Sequence, residues 1–276
     1  LSSDSKAFGH FTWSFFVFHN NPTSGRLMTM KQIIRALVSS VFLLALGHTE
    51  VAHAGVVYFN GSDAKGGYYL VPDNMPQDGT KVWVAVHVHG AGGLRGENLG
   101  RDLAKLIGPE PVIILVPSFT SGYQAGDGKW AEQLVGHFKE VSAKYKVHDK
   151  MFIHGHSGGG QFAHRFAFTA PELVAGVSAH SSGSWSCAGG YGAINPKAKG
   201  IPFAISCGEK DTALSTPDAP YSRIAWYHLF AEELQERGFD VDSRTWPDIG
   251  HGASFQQFGE QVRACFKKAT DAQRKK

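Results

Sequence analysis

The chain predicts an α/β fold, with a mostly parallel central sheet flanked by helices. Three observations carry this. From Lys81 onward, short apolar runs alternate with helical patterns. The runs are apolar throughout, as in strands buried on both faces. One of them leads directly into a glycine-rich turn that opens a helix, at Gly155-His156-Ser157-Gly158-Gly159-Gly160.

Gly55–Asn60 and Gly67–Pro72 read as two opening strands around a Gly-Ser-Asp turn, forming an antiparallel edge. Val82–His89 is an apolar, β-branched run and a buried strand. Leu99–Ile107 has a short helical pattern. Val112–Val116 is a strand stopped by Pro117. Trp130, Leu134, Val135, Phe138, Val141 and Tyr145 fall on one helical face. Met151–His154 is the next strand, and Gly158–Thr169 a helix ended by Pro171. Strands follow at Val174–Ala179 and Pro202–Ser206. Ser222–Arg237 is an amphipathic helix closed by Gly238. Val241–Trp246 is the last strand and Phe255–Thr270 the closing helix. No repeat or linker interrupts this order, which predicts one domain over residues 55–276.

Composition narrows the function classes. With 42% hydrophobic and 18% charged residues the chain is too apolar for a disordered protein. Its net charge is only +3, and the basic tail Arg274-Lys275-Lys276 reads as a solvated end, so nucleic acid is not an expected partner. Residues 30–54 read as a signal peptide. A basic stretch from Met30 to Arg35 precedes an apolar run, Ala36 to Leu46, and Ala52 and Ala54 stand at −3 and −1 of a cut before Gly55. The apolar run is short of the ~20 residues a membrane span needs, so no stable anchor is expected. Residues 1–29 precede usable starts at Met28 and Met30 and read as an upstream extension from a mis-called start. Export makes a secreted or periplasmic location the expectation and permits disulfides. Cys187, Cys207 and Cys265 allow one bridge, and Cys187–Cys207 is the expected pair because both fall near the ends of adjacent predicted strands.

The Gly-x-Ser-x-Gly pattern is weak alone and informative here because a strand precedes it and a helix follows. A nucleophilic serine on a sharp turn projects its hydroxyl above the sheet, and the flanking glycines spare the neighbouring strand and helix a collision. Ser157 needs a base, and that base an orienting acid. His164 lies in the helix after the turn, His228 in a long helix and His180 at a strand end. His251 follows the last strand in Pro247-Asp248-Ile249-Gly250-His251-Gly252, a loop placed to overhang the serine. Asp211, after the strand before last, is the leading acid; Asp248, Glu209 and Asp218 are the alternatives. Backbone N–H donors for an oxyanion are expected from Gly158 and from the loop His89-Gly90-Ala91-Gly92-Gly93, with Ala91 preferred to Gly92.

Ser157, Asp211 and His251 in that order, with the His-Gly loop upstream, resemble the α/β-hydrolase family over about residues 55–270. Within it the chain looks most like secreted esterases of the poly(3-hydroxybutyrate) depolymerase and feruloyl esterase type. The resemblance implies Ser157 as nucleophile, Asp211 as acid, His251 as base, and Gly158 with Ala91 as oxyanion donors, with no cofactor. Those relatives often carry a polar residue or Cys where this chain has Ala91.

Only Ser181 to Gly200 separates two predicted strands where many family members carry a cap domain. No cap domain is therefore expected, and an open cleft would suit a bulky or polymeric ester. Trp185 and Tyr123, with Trp130 and Trp246, fall in strand-end loops where aromatic rings could stack on substrate. His87-x-His89 and His154-x-His156 have zinc-compatible spacing, but His89 and His156 are accounted for by the motifs, so no metal is expected. Two other readings stand beside the esterase: a serine peptidase of the prolyl oligopeptidase type, for which the chain lacks room for a propeller, and a non-catalytic binding protein on the same fold.

Overall fold

A computed structural model describes residues 53–61, 64–94, 96–187, 192–252 and 255–274. These belong to one compact unit, Thr49–Lys276. The predicted upstream extension, and all of the predicted signal peptide but its last two residues, lie outside the described residues.

Eight strands among the described residues form one sheet in the order β1-β2-β4-β3-β5-β6-β7-β8. They are β1 (His53–Tyr58), β2 (Gly67–Pro72), β3 (Val82–Val88), β4 (Val112–Pro117), β5 (Val147–His156), β6 (Val174–His180), β7 (Phe203–Gly208) and β8 (Val241–Trp246). β1 and β2 form the antiparallel edge, β2 pairs antiparallel with β4, and the rest is parallel. β1 takes in the last two residues of the predicted signal peptide. Its unbroken pairing begins at Gly55, opposite Val71, the residue where the predicted cut would leave the chain.

β3, β4, β6 and β7 are buried along their whole length, and β5 over Met151–Gly155, which is why these stretches are largely apolar without alternation. Among the described residues five α-helices cover them: α1 (Asn98–Ile107), α2 (Gly128–Lys144), α3 (Gly158–Thr169), α4 (Arg223–Glu236) and α5 (Phe255–Arg274). α2, α3 and α4 pack on one face through Leu134, Phe138, Phe162, Phe166, Phe230 and Leu234. α1 and α5 pack on the other through Leu103, Leu106, Phe258, Val262 and Phe266. Ser222 caps α4, its hydroxyl accepting from Ala225 N. No helix among the described residues is long and apolar enough to cross a membrane.

From β3 the chain moves to β4 on one side and then returns to β5 on the other. Loops leaving the carboxyl ends of β3 and β5 therefore diverge, opening a crevice where the strand order reverses. Ser157 and the loop at His89–Gly93 both lie there.

Candidate active site

Ser157 sits between β5 and α3 with φ 56° and ψ −121°, a backbone conformation that costs a non-glycine residue about 1–3 kcal/mol. The turn is possible because its neighbours lack side chains. A Cβ on Gly155 would come 2.2 Å from the carbonyl carbon of Gly159, and one on Gly159 would come 2.0 Å from the Val88 carbonyl oxygen on β3. Close packing of β5, α3 and β3 thus requires both glycines and holds the strained serine half-exposed at the crevice.

Ser157 Oγ lies 2.8 Å from His251 Nε2, and His251 Nδ1 lies 2.8 Å from Asp211 Oδ2. Three side chains from three loops, after β5, β7 and β8, form one hydrogen-bonded line. Asp211 is buried, and its other oxygen accepts from Arg223 Nη1 at 3.2 Å. The loops carrying acid and base are tied together, with Lys210 N donating to Ile249 O at 2.8 Å. Gly208 allows that approach, since a Cβ there would lie 2.2 Å from Ile249 O. The other candidates stand elsewhere. Asp248, with φ 62°, is an exposed turn residue paired with Lys210 at 2.6 Å. Glu209 accepts from Thr245 Oγ1, and Asp218 is exposed. His164 and His180 are fully buried, and His228 is exposed on α4.

Ala91 and Gly158 both line the cleft beside Ser157. A Cβ on Gly158 would stand 3.2 Å from Ala91 N, so the two backbones converge. The Ala91 loop is fixed from below. His89 Nε2 accepts from Phe119 N at 2.9 Å, which leaves Nδ1–H to donate to Gly90 O at 2.7 Å. Burial keeps His89 below its ordinary pKa and so neutral, as this pattern requires. Tyr123 Oη donates to His89 O at 2.8 Å.

His156, which the sequence marks only as the variable residue of the serine motif and one of a zinc-spaced pair, has a structural part in the site. Its Nε2–H donates to the backbone carbonyl of His251 at 2.9 Å, and its ring stacks near Phe258. It therefore pins the base loop over Ser157. Loss of one such bond is worth about 1 kcal/mol, or about five- to tenfold in rate. His156→Ala is expected to lower kcat by about that factor at unchanged KM, with partial recovery in His156→Gln. An unchanged kcat with a raised KM would assign His156 to substrate binding instead.

Three sequence expectations are corrected. Trp185 does not face substrate: it is fully buried between α3 and α4, stacked against His164 and Phe230. Tyr123 is also buried and spends its hydroxyl on His89 O, so it supports the Ala91 loop and offers no ring to a ligand. Cys187 and Cys207 are not bridged, and all three cysteines are free and buried. Cys187 Sγ turns to Trp226 O on α4, whereas Cys207 Sγ turns to the Asp211 carboxylate. Burial pushes both thiols up to about 12, so they stay protonated.

The zinc-spaced histidines are engaged within the protein. His87 Nδ1 lies 2.7 Å from Leu99 O and His154 Nδ1 lies 3.2 Å from Ser178 Oγ. No group of three or more His, Cys, Asp or Glu side chains among the described residues could hold a metal ion. The cleft above Ser157 has a volume of about 680 Å³, and no aromatic side chain lines it among the described residues. Trp130 instead packs on Phe119.

Comparison with known proteins is consistent with this architecture. No protein-family model matches the chain, and no curated protein matches it. Solved structures do. A poly(aspartic acid) hydrolase from Sphingomonas sp. KT-1 is similar with a TM-score of 0.55 at 19% identity, over 73% of this chain and 91% of that one. A poly(3-hydroxybutyrate) depolymerase from Bordetella parapertussis has a TM-score of 0.52 at 22% identity, over 80% and 91%. A ferulic acid esterase from Anaeromyces mucronatus has a TM-score of 0.51 at 14% identity, over 73% and 82%. With its mostly parallel sheet, flanking helices and these structural relatives, the chain has the α/β-hydrolase fold.

Proposed function

We propose that the protein is a serine hydrolase that cleaves carboxylic esters through an acyl-enzyme intermediate. The observation that carries this is the line Ser157 Oγ, His251 Nε2 and Nδ1, Asp211 Oδ2, with both links at 2.8 Å, ending on a strained serine at the mouth of a cleft. The similar structures include a poly(3-hydroxybutyrate) depolymerase and a ferulic acid esterase, which supports the same reading.

His251 Nε2 takes the hydroxyl proton as Ser157 Oγ attacks the ester carbonyl carbon. The carbonyl oxygen gains the negative charge and accepts from the N–H groups of Gly158 and Ala91. Collapse of the tetrahedral adduct expels the alcohol, which leaves with the proton from His251. Water then attacks the acyl-serine, His251 again taking and returning a proton, and the carboxylic acid departs. Asp211 accepts from His251 Nδ1 throughout, which fixes the tautomer and favours the transient imidazolium. Arg223 Nη1 donates to the other carboxylate oxygen and holds Asp211 in place.

The cleft is open, and Ser157 is half-exposed. This supports a bulky or polymeric ester over a small one enclosed by a lid. Export rests on the signal-peptide reading of residues 30–54. The test is a panel of 4-nitrophenyl esters against matched 4-nitroanilides. Ester turnover is expected to exceed anilide turnover, and Ser157→Ala to lower it by at least about 10³-fold. Anilide preference would favour the peptidase reading. Turnover that survives Ser157→Ala would remove the serine mechanism.

A further inference from the structure

The cleft beyond Ser157 follows helix α3, and that helix places one residue per turn along it. Ser157, Gln161 and Arg165 are spaced i, i+4 and i+8 and share a face. All three line the cleft. Gly183 leaves room for Gln161, since a Cβ there would come 2.9 Å from Gln161 Oε1.

These side chains are held in position. Arg165 is 7% exposed and donates from Nη1 to Gln124 O and from Nη2 to Ser184 Oγ, both at 2.8 Å. Gln161 Nε2 donates to the same Ser184 hydroxyl at 2.5 Å. Across the cleft, Arg223 Nη1 holds Asp211, while its Nε is buried and finds no acceptor among the described residues. Among the described residues, two guanidinium groups therefore border a space walled, apart from Asp127, by glycine, alanine, serine, threonine and glutamine. Asp127, the one carboxylate on the lining among the described residues, stands at the exposed rim. Among the described lining residues there is no aromatic or large aliphatic wall for a phenolic ring or a long alkyl chain. A carboxylate finds planar N–H donors in a partly dehydrated setting, where charge-assisted bonds are strong.

We propose that this cleft selects esters carrying a carboxylate on the arm that runs along α3, with Arg165 as the specificity-determining residue and Gln161 as a polar guide between it and Ser157. The inference rests on the ester-hydrolase reading above and names its substrate class. The carboxylate could belong to the acyl or the alcohol side, and the two arms of the test separate these.

For the acyl side, mono(4-nitrophenyl) adipate is compared with 4-nitrophenyl hexanoate. For the alcohol side, 4-acetoxybutanoate is compared with 4-acetoxybutanamide. The wild-type protein is expected to favour the anionic member of one pair by at least about tenfold in kcat/KM. That preference should shrink as salt is raised. Arg165→Gln should bring the ratio to near unity, and Arg165→Lys should keep part of it. Preference for the neutral member in both pairs, or a ratio unmoved by Arg165→Gln, would overturn the inference while leaving ester hydrolysis standing. Should Arg165→Gln not fold, the wild-type ratios and competitive inhibition of hexanoate hydrolysis by free glutarate decide it. If no ester is turned over, the hydrolase reading falls, and the carboxylate site is then judged by whether glutarate raises the Tm of the wild-type protein.

Discussion

Asp211→Asn is expected to lower kcat/KM by about 10³- to 10⁴-fold with the fold intact. Asp211 Oδ2 accepts from His251 Nδ1 at 2.8 Å, which leaves His251 Nε2 without a proton and able to take one from Ser157. An asparagine amide can present its NH₂ to Nδ1, which moves the imidazole proton to Nε2. The base is then occupied, and the hydroxyl faces a donor. His251→Ala removes the base altogether and should cost at least as much. Asp248→Asn is the matched control. Asp248 lies three residues from His251 in sequence but pairs with Lys210 on the surface, so its loss should change kcat/KM by less than about twofold. A fall of less than tenfold for Asp211→Asn would mean that the hydrogen-bonded line is structural.

Acid should destabilise the protein well above the carboxylate range, because four histidines besides His89 are buried and neutral. His87, His154 and His180 lie side by side on β3, β5 and β6, on the face covered by α1 and α5. A chain runs from Ser206 Oγ to His180 at 2.6 Å, from His180 to Ser178 Oγ at 2.7 Å, and from Ser178 Oγ to His154 at 3.2 Å. Every link can be made with both imidazoles neutral. His164 is buried on the opposite face, 2.8 Å from Gly160 O. Burial lowers all four, His87 to about 4 and the other three well below their ordinary value. The sign follows from proton counting. Below about pH 6.5 the unfolded chain protonates these groups and the folded one does not. Their contribution is complete above that pH and is lost as pH falls toward the folded values. At pH 5.5 the loss is about 1 kcal/mol per histidine and several kcal/mol for the set, a large part of an ordinary domain's stability. Urea melts at pH 7.5, 6.5 and 5.5 should show the midpoint falling steeply over the last unit. A flat midpoint across that range would mean that the imidazoles are charged or hydrated in the native state.

The fold was legible because its signals are local. Apolar runs in β3 to β7 and helical periodicity between them leave element ends within a few residues of expectation. β5 begins earlier than its apolar part suggests, since His148-Asp149-Lys150 are polar residues at the sheet's exposed end. Ser157, Asp211 and His251 were legible because chain order on such a sheet fixes which loops meet at one end. What sequence could not show is where a loop side chain turns. Trp185 lies in a connection, yet that connection folds inward between α3 and α4 and buries the ring. Cys187 follows β6 and Cys207 lies near the end of the adjacent strand β7, but one sulfur is drawn to α4 and the other to Asp211. His156 and Arg223 act on the site through contacts 95 and 12 residues distant in the chain, which no spacing rule reaches. Gln161 and Arg165 were within reach, because their i+4 and i+8 relation to Ser157 is visible in the sequence.

The central claim is that Ser157 is a nucleophile activated by His251. Its most direct measurement is reaction of the purified protein with a fluorophosphonate, followed by peptide mass spectrometry, with Ser157→Ala and His251→Ala alongside. The account predicts one phosphonylated site, Ser157, no labelling in Ser157→Ala, and labelling slowed by orders of magnitude in His251→Ala. A folded wild-type protein that stays unlabelled, or is labelled equally fast without His251, would contradict it.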